Sequence, residues 1–400
     1  MDSLLKTIIN HYLNSSEYNG IPIYSITGLD IHEVKTQIKR GLVEAIYNDL
    51  NPHIKFFNIA ESTDTQIEFL QNSDCCLYPT PFALAGYPKD QRKKYSVLLQ
   101  SGWGQFEIIF FNVAVLEVYF NNPQYLITDM GYRGQINVLD EYADDDDLEL
   151  IRDFGVAYGP EKNDRAIGVF VRDLAYLSEK SQMRWASYEL DDQAEWQING
   201  NFVGNMLFGR WTDNVWVFDA LLEEQTIINR MCECIGIHHI FSKTWNIHNY
   251  ERPEGYRLIL IPTWKNYYDF VNVLEKIVAN NISSKAFTAH QNKTKAIISE
   301  ENEGTISLLG RWLKENGRNA EAVDESIVGP LKTIRNTRQT PAHKFVENKY
   351  DKSVYEQQNH IVEKAYEATS CLRIMLGTHP LAQNVDIPEY LKHQKGIVFY

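Results

Sequence analysis

The residues best placed to do chemistry in this 400-residue chain lie close together in the segment IRNTRQTPAHKF, where Arg338 and His343 are separated by four residues. Cleaving RNA without a metal needs a base that titrates near neutrality, to take the 2′-hydroxyl proton, and a fixed cation on the phosphorane oxygens. Histidine supplies the first and arginine the second, so the pair requires no cofactor. Around it stand Arg335, Asn336, Gln339 and Lys344, polar or cationic side chains able to hold flanking phosphates. The spacing alone arises by chance roughly once in a chain of this composition. Arg373 and His379 indeed repeat it, and they read as a helix-terminal arginine and a histidine ahead of Pro380.

The setting of the first pair is what distinguishes it. On an unbroken helix five positions turn a side chain by about 500°, which leaves Arg338 and His343 about 140° apart. Pro341 disfavours helix at Thr340, so Thr340 is expected to cap a new short helix that Pro341 opens, with a bend between the two residues. His343 would then sit in a first helical turn, where anions are favoured. Arg335 and Arg338, three apart, share a helical face and could clamp one strand.

The elements that must position these residues divide the chain. Over 1–282 the reading is mixed: helix at SLLKTIINHYL, strands at IPIYSITG and IKFFNIA, and a helix from Ile31 to Leu50. Two to four strands are expected in Gly104–Leu139, and a further strand at AIGVFVRDLAYL precedes helices at EKSQMRWASYEL and Asp219–Cys234. YRLILIP is expected to be a strand leading into another helix, which stops at the polar NNISSK. Over 283–400 the β signal nearly vanishes. Ile306, Leu309, Trp312 and Leu313 form one helical stripe, Ile361, Ala365, Ala368, Leu372 and Met375 a second, and Pro330 is expected to open a third helix carrying Leu331 and Ile334. The expected fold is α+β: an N-terminal domain over 1–282 with a largely antiparallel sheet, followed by an all-α helical bundle over 283–400.

Charge follows the same division. The chain carries 39 Lys+Arg and 53 Asp+Glu, a net −14, which argues against a general nucleic-acid coating protein. Residues 283–400 hold 16 basic against 14 acidic residues, and Leu331–Lys352 alone has six against two, a local +4. The N-terminus lacks a secretory pattern, no apolar run is long enough for a membrane span, and five irregularly spaced cysteines fit a reducing compartment; a cytoplasmic protein is expected. Cys232, Cys234, His238 and His239 lack zinc-site spacing, Asp30 with Glu33 reads as helix capping, and Asp144–Asp147 lacks the pattern of a calcium loop. There is neither a P-loop nor a Gly-x-Ser-x-Gly elbow.

A helical bundle bearing Arg-x4-His within PLKTIRNTRQTPAHKF resembles the HEPN superfamily over about residues 300–380. The resemblance implies a metal-independent endoribonuclease of a defence or toxin type, with Arg338 and His343 as the catalytic pair and two motifs meeting in one cleft of a homodimer. The family often places Asn, Asp or His directly after the arginine. Here Gln339 follows Arg338, whereas Arg335-Asn336 keeps the polar residue but stands too far from His343, so either arginine could be primary. Members that bind RNA or a nucleotide, or serve as interaction modules without cutting, make a binding role the alternative. The acidic N-terminal domain would then receive a protein or nucleotide regulator.

Overall fold

The computed structural model describes residues 3–14, 20–47, 55, 61–145, 148–249, 251–288, 297, 303–343 and 346–399. It is α+β, with antiparallel sheets in the N-terminal half and helices dominating the C-terminal half. The chain forms two compact units: one of residues 1–128 and 132–210, the other of 129–131 and 211–400.

In the first unit, strands β1 (Ile21–Pro22), β2 (Val43–Ile46) and β3 (Cys76–Pro79) form an antiparallel sheet in the order β1-β3-β2. Leu4, Leu5, Ile8 and Ile9, one stripe of the helix Ser3–Asn14, pack on it together with Val34 and Ile38. The helix expected over Ile31–Leu50 ends at Lys39, because Gly41 takes a left-handed turn (φ +67°) into β2. Its start is as expected, with the Asp30 carboxylate accepting the His32 N–H at 2.8 Å. The expected strand IKFFNIA lies, apart from Lys55, outside the described residues.

The larger antiparallel sheet runs β4 (Ile108–Asn112), β8 (Arg165–Phe170), β7 (Asp153–Tyr158), β6 (Arg133–Val138) and β5 (Tyr125–Asp129), with β9 (Gln197–Ile198) on β7. Gly104–Leu139 thus yields three strands, within the expected range. Facing glycines Gly155 and Gly168 leave room for the Ile198 side chain, 2.5 Å from a Cβ added at either, and Gly155 also makes room for Phe202. Phe202 stacks on Phe170 at 5.2 Å.

The second unit is helical apart from the parallel pair β10 (Val215–Trp216) and β11 (Ile397–Val398). Its frame is Val217–Ile235, Trp264–Val278, Thr305–Glu315 and the 25-residue Ser353–Gly377. The boundary expected between 282 and 283 is therefore corrected to 210/211. Val217–Ile235 and Trp264–Val278 both pack on Ser353–Gly377, so NNISSK is a loop inside the bundle rather than a linker. With this division the second unit has 22 basic and 24 acidic residues, nearly neutral, and the first 17 against 29.

YRLILIP is not a strand. Leu258, Ile259, Leu260 and Ile261 are buried, and side chains replace the strand neighbour that the backbone would otherwise need. Asp129 Oδ2 accepts from the Leu258 N–H at 3.2 Å and Gln358 Oε1 from the Ile259 N–H at 2.9 Å. Gln358 Nε2 donates to the Arg257 carbonyl at 2.9 Å, and the Tyr355 hydroxyl donates to the Leu260 carbonyl at 2.7 Å. Replacing Gln358 by Leu leaves a buried donor and a buried acceptor unpaired and is expected to cost about 2–4 kcal/mol. Urea unfolding checks this, and an unchanged midpoint would contradict it.

Candidate anion-binding cleft

The basic segment belongs to one continuous helical path. Ala320–Val323 passes through a π-turn at Asp324–Val328 into the helix Gly329–His343. Pro330 is therefore not at a helix start; the wide turn before it accommodates its missing N–H and bulky ring. Nor does Pro341 open a new helix between Arg338 and His343, because one helix continues through it. Thr340 does not cap: its hydroxyl donates backward to the Asn336 carbonyl at 3.3 Å, as Thr337 does to Thr333 at 2.9 Å.

With the helix intact, Arg335 and Arg338 occupy one stripe, while the backbone position of His343 falls on another with Asn336 and Gln339. Arg338 and the His343 position are thus about 140° apart around the axis, and a single copy of the helix does not bring them to one point. Asn336 and Gln339 are exposed and make no side-chain hydrogen bond among the described residues. Lys344 lies outside the described residues.

The Arg335/Arg338 stripe faces the helix Trp264–Val278. Arg335 Nε donates to Glu275 Oε1 at 3.1 Å and Arg335 Nη2 to Asn280 Oδ1 at 3.3 Å, and the Glu275 side chain is only 4% exposed. The expected two-arginine clamp is therefore not formed: Arg335 neutralises a buried carboxylate. Arg338 differs. It is exposed, Nε donates to the neutral Asn272 Oδ1 at 3.3 Å, and among the described residues it has no ion-pair partner.

Arg338 lines a cleft of about 440 Å³ with Lys265, Tyr268, Asp269, Asn272 and Asn348. Residues 265, 268, 269 and 272 fall on one helical face by their spacing. Thr263 caps that helix by accepting the Asn266 N–H at 3.2 Å, and Asn348 Oδ1 accepts the Lys265 N–H at 3.1 Å. Asp351 N–H donates to the Pro262 carbonyl at 2.8 Å, which holds the return segment along the helix start. Lys265 is matched by Asp269 at 2.7 Å, so among the described residues the uncompensated charge in the cleft is the Arg338 guanidinium. Tyr268, half-buried beside Trp264 at 6.0 Å, adds an aromatic wall. Lys265, Tyr268 and Asn272 join the cleft without a motif in the sequence: the polar i, i+3, i+4, i+7 stripe is visible there, but not that it faces Arg338.

The other candidates separate. Arg373 is buried, donating to Glu224 and, at 2.9 Å, to the Leu391 carbonyl, so the Arg373–His379 spacing reflects an internal ion pair. Cys232 is buried and Cys234 exposed, on opposite sides of their helix, and His239 pairs with Glu233 at 2.8 Å. No helix among the described residues is long and apolar enough to cross a membrane. Comparison with family models, curated proteins and solved structures gives no match.

The two arginines should behave oppositely on substitution. Arg335→Ala strands the Glu275 carboxylate and is expected to cost about 1–2 kcal/mol, below the full cost of breaking a buried pair because Arg335 is partly exposed and Asn280 still donates to Glu275. Arg338→Ala should change stability by no more than about 0.5 kcal/mol. Paired thermal melts test the contrast, and equal losses would contradict the assignment.

Proposed function

We propose that the second unit binds single-stranded RNA, with Arg338 holding a backbone phosphate in the cleft and Tyr268 supplying a face for an adjacent base. The carrying observation is the exposed Arg338 guanidinium, which among the described residues has only a neutral amide for a partner inside a cleft with an aromatic wall. Arginine matches phosphate oxygens with paired donors, and stacking adds affinity that tolerates sequence. The near-neutral charge of this unit limits binding to a local contact instead of a broad basic surface.

A second reading, a HEPN-type metal-independent endoribonuclease, is favoured by the placement of the His343 position on the exposed stripe of Asn336 and Gln339. Base and phosphate clamp then come from two copies of the chain, so cleavage requires a homodimer in which His343 moves the 2′-hydroxyl proton and Arg338 stabilises the phosphorane.

Fluorescence anisotropy with a labelled single-stranded RNA, across a salt series, tests the binding reading. Arg338→Ala is expected to weaken binding about tenfold or more and to reduce the salt slope by about one. Unchanged affinity and slope would reject the cleft. Incubation with RNA in EDTA tests the cleavage reading: His343→Ala is expected to abolish cleavage while retaining binding, and cleavage that persists in the variant would remove His343 from the mechanism.

A further inference from the structure

The first unit contains a cavity of about 330 Å³ that plays no part in the Arg338 site. Trp103, Phe106 and Phe208 contribute aromatic faces to its lining, together with Tyr12, Pro81 and Glu107. The loop that carries the first two is pinned by its backbone. Trp103 N–H donates to the Leu98 carbonyl at 3.1 Å, Arg172 N–H to the Gln105 carbonyl at 3.1 Å and Val171 N–H to the Glu107 carbonyl at 2.9 Å. Phe106 is further held edge-on against Phe170, with ring centroids 5.4 Å apart. Phe208 closes the helix Gly200–Phe208, which stops because Gly209 turns left-handed (φ +61°). Gly209 N–H returns to the Asn205 carbonyl at 3.2 Å and Arg210 N–H to the Gly204 carbonyl at 3.0 Å.

That turn places the Arg210 side chain over Phe208. Its guanidinium carbon lies 5.3 Å from the ring centroid, and Arg210 is exposed, with no ion-pair partner among the described residues. Trp103 and Phe208 are themselves 42% and 47% exposed, so the cavity opens to water through an aromatic rim that a ligand would cover. The charge inside has the opposite sign. Lys55, in the lining, is bonded to Glu44, with both side chains 13% exposed, and Glu107 adds a second carboxylate. Two carboxylates against one ammonium repel an anion from this end, while the guanidinium at the rim attracts one. Burial above all, then Glu44 and Glu107, raises Tyr12 above its ordinary range and keeps the phenol neutral.

We infer that this cavity binds a small aromatic carboxylate, with its ring among Trp103, Phe106 and Phe208 and its carboxylate at the rim on Arg210. The difference in charge between the two ends fixes that orientation. Arginine meets a carboxylate with paired donors, and one unpaired guanidinium balances one negative charge, which selects a monoanion. The volume lies at the small end of the range for ligand pockets, about 300–1,000 Å³, which suits a ligand of one or two rings.

Isothermal titration of the full chain with naphthylacetate, its neutral amide and octanoate tests this. Naphthylacetate is expected to bind saturably and about tenfold more tightly than either of the others, the amide reporting the charge and octanoate the ring. Arg210→Gln, at an exposed position, should keep the wild-type melting temperature and bind acid and amide alike. Trp103→Ala should weaken acid and amide by the same factor. No naphthylacetate binding at millimolar concentration, an amide or octanoate that binds as tightly as the acid, a preference for the acid that survives in Arg210→Gln, or wild-type affinity in Trp103→Ala would overturn the assignment. None of these outcomes bears on Arg338, which lies in the other unit.

Discussion

A buried carboxylate governs the geometry of the second unit's functional face. Glu275, on the helix Trp264–Val278, is nearly inaccessible to water, and a charge in that position is tolerated only if it is paired. Arg335 meets it from the neighbouring helix, and Asn280 completes the arrangement by donating to Glu275 and accepting from Arg335. The need to match this carboxylate fixes both the rotation and the register of the basic helix against its neighbour. One turn further along, that register places Arg338 beside Asn272, where the facing residue is an uncharged amide. Two arginines three residues apart thus acquire different roles from the single residue each one faces.

The same constraint separates Arg338 from the His343 position. Rotating the helix to bring the histidine toward the cleft would pull Arg335 from Glu275, so the two functions remain on different stripes of an unbroken helix. Pro341 does not relieve this. Near the end of the helix, the hydrogen bond it lacks costs less than in the middle. An intact helix is consistent with a phosphate-binding surface in one copy and with a composite centre only when two copies meet.

Much of the fold is legible in the chain where the periodicity is strong. The stripes at Ile306–Leu313 and Ile361–Leu372 are buried as their spacing requires, and the β-rich run after Gly104 becomes sheet. Met375 is only partly buried, at the point where the long helix approaches its exposed end. YRLILIP misleads because a run of buried apolar residues signals burial but not the partner of its backbone; Gln358 and Tyr355, about a hundred residues later, take the place of a neighbouring strand. The domain boundary misleads for a related reason. Amphipathic helices such as Val217–Ile235 do not disclose which partner covers them, and the covering helix here is Ser353–Gly377. In the cleft, the basic helix is visible as a charge island, but the distinction between its arginines depends on Glu275 and Asn272, which belong to another element.

RNA binding by this cleft requires that Arg338, unlike the Glu275-paired Arg335, take a phosphate. The most direct measurement is the nitrogen–proton spectrum of the arginine Nε groups, assigned with Arg338→Lys and Arg335→Lys, during titration with a short oligouridylate. The Arg338 signal is expected to shift and saturate while the Arg335 signal stays in place. An Arg338 signal that does not respond, or one that moves no more than Arg335, would contradict it.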